Sequence, residues 1–245
     1  MFDSLLEILK TFGLYFIQIL IAIPCALVVV LVHNYIKSLV AFAFARKSSK
    51  EAGVISLNPL NSIEPIGFLC LALFRFGWSS SISFSKKDFK RPKLAAFVSI
   101  ATSFFANFLL SFVFAFFLIL VYPGATPLFS HIFNAFTTVL GENVGNFMFS
   151  LLQNALQTMC VLNLTFIVFN LIPLPPLEGF TILSLFIPKY TSKSIIRYEK
   201  YFMLAFLVIL LLDYYFIGII TPALGNGVNF VLNKCFTPLF LKLFN

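Results

Sequence analysis

Apolar residues fall in long blocks separated by short charged stretches, the pattern of a chain that crosses a bilayer several times. The first block runs from about Phe12 to Ala45. At roughly 34 residues it would be ~50 Å long as a helix, more than a hydrocarbon core of about 30 Å. The segment is therefore tilted, kinked at Pro24, or extended beyond the lipid. Leu94 to Val121 predicts a second span, Phe147 to Leu171 a third and Tyr201 to Ile220 a fourth, while Val228 to Phe244 is a short apolar segment of unassigned depth. Gly67 to Phe76 is apolar but too short to span, which predicts a re-entrant hairpin or a strand at the interface. Ser79 to Phe84 alternates small polar and apolar residues, as an edge strand does. The pattern predicts one membrane domain over 1–245, an all-α polytopic protein with a small interfacial hairpin or strand element.

Composition agrees with this: 60% of the residues are hydrophobic, mean hydropathy is +0.99, and only 11% are charged. That charged share is about half the usual value for soluble domains. The net charge of +8 does not point to nucleic acid, because the cations flank apolar spans. They sit where the positive-inside rule places cytoplasmic loops. Arg46 to Lys93 and Lys189 to Lys200 (loops 46–93 and 189–200) are then cytoplasmic, with the N-terminus and Tyr122 to Asn146 outside. Lys86, Lys87, Lys90, Arg91 and Lys93 read as a solvated loop at anionic lipid headgroups. Asp3 and Glu7 argue against a cleavable basic leader. Cys25, Cys70, Cys160 and Cys235 have no paired spacing and read as small apolar core residues, not disulfides or metal ligands.

Candidate chemistry lies where the third span ends, in Phe169-Asn170-Leu171-Ile172-Pro173-Leu174-Pro175-Pro176-Leu177-Glu178-Gly179-Phe180. Prolines here must break the helix, and broken backbone at membrane depth persists only inside protein or beside a water-filled cavity. Glu178 is ionisable at that depth, which marks a functional site. Its natural partners are His33 and Lys37, one turn apart on the first span and so on one face, with Asn34 beside them.

These residues, in order, give the chain a resemblance to the site-2 protease family of intramembrane zinc metalloproteases, in the short form without a periplasmic PDZ domain. The family's HExxH is matched by His33-Asn34-Tyr35-Ile36-Lys37, and its NPxxHxDPxG by Asn58-Pro59-Leu60-Asn61-Ser62-Ile63-Glu64-Pro65-Ile66-Gly67. A GW-led strand is matched by Gly77-Trp78-Ser79, a basic turn by Phe89-Lys90-Arg91-Pro92, and AGPxxN by Thr102 to Asn107. FNLxPxPPLDG is matched by Phe169 to Gly179, with Glu178 in the place of Asp. The resemblance covers about Ala22 to Leu183 and implies a site-2-protease-like transmembrane core, about 12–220.

What the resemblance implies for chemistry turns on the departures. In the family the two His of HExxH and the Asp hold zinc, and the Glu is the general base. Here Lys37 replaces the second His, Asn34 the base, and Ser62 the family's other His. Only His33 and Glu178 are left as ligands, so no zinc and no catalytic residue is expected. The degenerate positions are His33, Asn34, Lys37 and Glu178. Lys37 would supply the charge that a metal supplies elsewhere, unless it snorkels to the surface. The reading is a pseudoprotease that holds a transmembrane protein or helix in the family's groove, lined by Asn107, Asn170, Pro173, Pro175 and Pro176. Its partners are that helix and the bilayer, with no nucleic acid. One alternative is an active zinc protease using His33, Glu178 and a third ligand such as Glu64. Another is a small transport or ion-pathway subunit relaying protons through His33, Lys37 and Glu178.

Overall fold

The computed structural model describes residues 2–80, 82–121, 127–188 and 197–213, with 226, 230 and 234 as isolated positions. Three described helices are long and apolar enough to cross a membrane. The first, α1, runs Phe2–Phe44 and passes through Pro24 without interruption. After a short α2 (Lys47–Glu51) and a 3-10 turn (Pro59–Ser62) comes α3, Pro65–Phe74. The second and third long helices are α4 (Pro92–Leu120) and α6 (Glu142–Asn170), with α5 (Pro127–Leu140) between them. Short α7 (Glu178–Leu183) and α8 (Glu199–Leu212) follow. The fourth span expected over Tyr201 to Ile220 is described only as far as Asp213. Its remainder, the loop positions Lys189 and Lys193, and nearly all of Val228 to Phe244 lie outside the described residues.

Lipid gives helices no hydrophobic reason to associate, so close packing and hydrogen bonds must do it. On α1 a stripe of Ala22, Cys25, Ala26, Val29 and Val30 is buried. It packs against Leu71 and Ala72 of α3 and Met159, Leu162 and Phe166 of α6. On α4, Ser99, Ser103, Asn107, Ser111 and Ala115 recur every fourth residue, and all are buried. Small side chains at that spacing bring backbones together. The Ser111 hydroxyl donates to the Cys160 carbonyl at 3.0 Å, tying α4 to α6.

Gly67 to Phe76 is a helix over most of its length, not a strand, and it forms one arm of a hairpin. The Glu64 carboxylate caps α3 by accepting from the Gly67 N–H at 2.6 Å, and Pro65 sits in the first turn. Arg75 ends the helix in the left-handed region at φ 65°. The chain then returns extended, and Ser80 N–H donates to the Ser62 carbonyl at 3.1 Å, closing the hairpin at its base. Two glycines make the close return possible. A Cβ on Gly77 would lie 2.1 Å from the Gly67 carbonyl oxygen, and one on Gly67 2.3 Å from that of Trp78.

The edge strand expected over Ser79 to Phe84 is absent among the described residues; the one β-bridge they contain joins Ala45 to Phe89. Ile82 and Phe84 pack against the cluster of Ala41, Ile55, Phe89 and Ala95, while Ser83 between them is exposed. Near the bridge, Asp88 accepts from Arg46 N–H through its carbonyl (2.8 Å) and from Ser49 Oγ through its carboxylate (3.1 Å). The Ser85 hydroxyl, helped by Ser49, holds the Asp88 carboxyl below its ordinary value. It is the anchor that gathers the two basic runs, 46–50 and 86–93, at one end of the bundle.

Two outcomes test this architecture. Single cysteines at 87 and 130 should be labelled from opposite sides of the membrane, because α4 separates them; labelling from the same side would overturn the arrangement. Gly77→Ala should destabilise by about 1–3 kcal/mol, the usual range for overpacking, read as a lowered midpoint in detergent denaturation.

Candidate functional site

His33 and Lys37 leave α1 on its protein-facing side, and both are buried, at 0% and 1% exposure. Lys37 therefore does not snorkel. Its ammonium donates to Glu178 Oε1 at 2.6 Å, Ser79 Oγ at 3.1 Å and the Ser80 carbonyl at 3.1 Å. Three N–H groups meet three acceptors, so the ammonium is saturated. His33 Nε2 lies 3.0 Å from the same Glu178 oxygen, and Nδ1 lies 3.3 Å from Asn107 Oδ1, in an amide whose oxygen and nitrogen exchange places by a half-turn. The imidazole is held edge-on to Phe166 at 4.9 Å between ring centres and tilted to Phe104 at 5.6 Å.

Hydrogen-bond accounting constrains the proton inventory. The carboxylate accepts, so Nε2 carries its proton. If the Asn107 amide nitrogen faces Nδ1, the ring is neutral and the cluster sums to zero. If the amide oxygen faces it, a second cation joins one carboxylate in a buried space. The neutral arrangement is the less costly.

Glu178 reaches this point because the chain breaks where it does. Asn170, the last residue of α6, turns its amide nitrogen back to the Phe166 carbonyl at 2.8 Å and across to the Gly77 carbonyl at 3.0 Å. Pro173, Pro175 and Pro176 then prevent the helix from resuming. Gly179 lets the loop fold back against the end of α6, since a Cβ there would lie 2.2 Å from the Leu171 carbonyl oxygen. Asn34, beside His33 on α1, donates its amide nitrogen to the Ser62 carbonyl at 3.0 Å. It fastens the base of the hairpin to α1.

The residues named from sequence do not all meet. His33, Lys37, Glu178 and Asn107 form one cluster, and Asn34 and Asn170 brace it from either side. Glu64 is engaged as the cap of α3. Pro175 and Pro176 line a separate cavity of about 290 Å³ with Ile82, Ser83, Phe84 and Phe180. Pro173 is exposed. Ser79 and Ser80 escaped the sequence reading, although Ser79-Ser80-Ser81 is an unusual polar run between apolar segments and could have been weighed as an acceptor for Lys37.

The donor set does not fit a divalent cation. His33 and Glu178 are the two ligand-type side chains in the cluster, and an ammonium lies 2.6 Å from the oxygen they share. No described group of three or more His, Cys, Asp and Glu could hold a metal. A zinc ion there would face an unremovable positive neighbour unless Lys37 lost its proton.

The ion pair makes a quantitative expectation. Lys37→Met should destabilise by about 3–5 kcal/mol, because it strands a buried carboxylate. Lys37→Met combined with Glu178→Gln should cost less than the two single changes added together. Denaturation of the four proteins in detergent checks this, and strictly additive losses would mean the pair contributes nothing.

No protein-family model matches the chain, and no solved structure matches it. A protein of Bacillus subtilis (strain 168), named "Putative zinc metalloprotease YwhC", is 29% identical over 213 residues, covering 86% of this chain and 88% of that protein. The chain is thus similar, over nearly its whole length, to a protein whose name fits a site-2-protease-like family.

Proposed function

We propose that this chain is a site-2-protease-like membrane protein that does not hydrolyse peptide bonds and instead holds a transmembrane partner. The observation that carries the reading is the saturated ammonium of Lys37, donated to Glu178, Ser79 and Ser80. Hydrolysis needs a base to deprotonate the nucleophile. Asn34 cannot serve at any useful pH, and its amide is committed to the Ser62 carbonyl. Ser79 touches Lys37, but a charged amine with every proton donated has no lone pair with which to take the Ser79 proton. The groups that would make or activate a nucleophile are all spent on structure.

A non-hydrolytic role keeps the rest of the architecture meaningful. The proline-rich loop that follows α6, together with α7, lines a cavity that opens between Pro175, Pro176 and the segment Ile82 to Phe84. A partner helix that unwinds locally would find there apolar walls and the hydroxyls of Ser83, Thr181 and Ser184. Basic residues at 46–50 and 86–93 would lie on the cytoplasmic side, beside anionic lipid.

The zinc-protease reading is favoured by one observation, the name of the Bacillus subtilis relative. Metal analysis and cleavage assays separate the two. The wild-type protein, purified in detergent, should hold well under one equivalent of zinc and leave model transmembrane substrates intact. The variant Asn34→Glu, Lys37→His, Glu178→Asp should gain zinc binding. Chelator-sensitive cleavage by the unaltered protein would overturn the proposal.

A further inference from the structure

The hairpin sets a cation far along α1 from the basic loops. Its helix α3 starts beside Asn34, where Ser62 is hydrogen-bonded, and ends beside the N-terminal half of α1. There Ala72, Leu73, Phe74 and Arg75 enclose a cavity of about 120 Å³ with Tyr15, Gln18, Ile19 and Ala22. The helical rise from Gln18 to Phe44 is about 39 Å, against a hydrocarbon core of about 30 Å. With Arg46 and Lys47 at one headgroup layer, Arg75 stands at the other.

A guanidinium keeps its charge at any relevant pH, and at the edge of hydrocarbon it needs an acceptor. Among the described residues no ion pair or side-chain hydrogen bond engages Arg75, and none engages the Gln18 amide or the Tyr15 hydroxyl. The backbone holds Arg75 in place: its N–H donates to the Leu71 carbonyl at 3.2 Å, at the left-handed end of α3. Around the cavity α1 presents exposed Leu14, Phe16, Leu20 and Ile23. Those side chains suit acyl chains, and the polar tips suit what the acyl chains are attached to.

We propose that Arg75, Gln18 and Tyr15 form a binding site for the phosphodiester of a membrane phospholipid, in the leaflet opposite the basic loops. The guanidinium fork matches two non-bridging phosphate oxygens and their single negative charge. Gln18 and Tyr15 add neutral donors. The cavity is large enough for a phosphate group, and the ring of apolar side chains directs the glycerol and acyl chains along α1. Free phosphate shares the recognition chemistry but not the apolar contacts.

The test uses the full chain in detergent, with thermal denaturation followed on titration with four probes. These are dioctanoyl-phosphatidylglycerol, dioctanoyl-phosphatidylcholine, dioctanoylglycerol and inorganic phosphate. Both phospholipids should raise the midpoint and dioctanoylglycerol should not. Arg75→Met should raise the half-saturating phospholipid concentration at least about tenfold, the loss of one charge-assisted hydrogen bond. Arg75→Lys should fall between it and wild type. Should Arg75→Met fail to fold, Gln18→Ala with Tyr15→Phe carries the same test from the exposed face of α1. Unchanged titration of these variants, or an equal response to dioctanoylglycerol, would overturn the site. Saturation by inorganic phosphate at concentrations as low as those of phospholipid would overturn the lipid as its ligand.

Discussion

One carboxylate oxygen organises this protein. Glu178 Oε1 accepts from Lys37 at 2.6 Å and from His33 at 3.0 Å. Through Lys37 it is connected to Ser79 and Ser80, and through His33 to Asn107. The first long helix, the second, the hairpin and the broken end of the third therefore converge on a single atom. Burying a carboxylate and an ammonium is expensive, and the attraction between them offsets the expense only when the geometry is good and the remaining protons find acceptors. Lys37 meets that condition, while the second carboxylate oxygen of Glu178, Oε2, is buried without a partner among the described residues. The cluster is consequently less a reserve of stability than a specification: other ways of packing these helices would leave a charge without its partner.

The surroundings follow from the same requirement. Polar side chains at this depth depend on protein for partners, and short ones here reach nearby backbone, although Asn34 Oδ1, Asn107 Nδ2 and Asn170 Oδ1 are buried without a partner among the described residues. Asn34 and Asn170 each bond a carbonyl of the hairpin or its base, at 3.0 Å in both cases. Serines on α4 return their hydroxyls to their own helix, Ser99 to Ala95 and Ser103 to Ile100, and so line the contact with α1 and α6 without stranding donors. The aromatic rings of Phe104 and Phe166 close around His33 and keep lipid from the cluster.

Much of this was legible in the sequence, and what was missed was missed for physical reasons. His33 and Lys37 could be placed on one face by helical spacing, and Glu178 could be placed at depth because three prolines force a break inside an apolar run. Periodicity located the second and third spans to within a few residues. It could not decide the conformation of Gly67 to Phe76, since a uniformly apolar stretch of that length has no face to betray a period. Ser79 and Ser80 went unread as partners of Lys37 because the contact spans 42 and 43 positions, and nothing local announces it. Asn107 and Asn170 were assigned to a groove by resemblance, whereas their amides brace the cluster and the hairpin.

Gly67 and Gly77 have a further meaning as a gauge of length. Loops between spans ordinarily tolerate insertions, since they run over the surface. This one is measured. The Gly77 backbone sits against the Gly67 carbonyl and the Leu71 side chain so closely that only a hydrogen fits there, which fixes how far the returning segment has climbed when it reaches Ser79. In an extended chain a slip of one residue turns every side chain to the opposite face. Adding or removing a single residue between the two glycines would therefore present Lys37 with Trp78 or Ser80 where Ser79 should be. The hairpin is a connector whose residue count is as constrained as its chemistry.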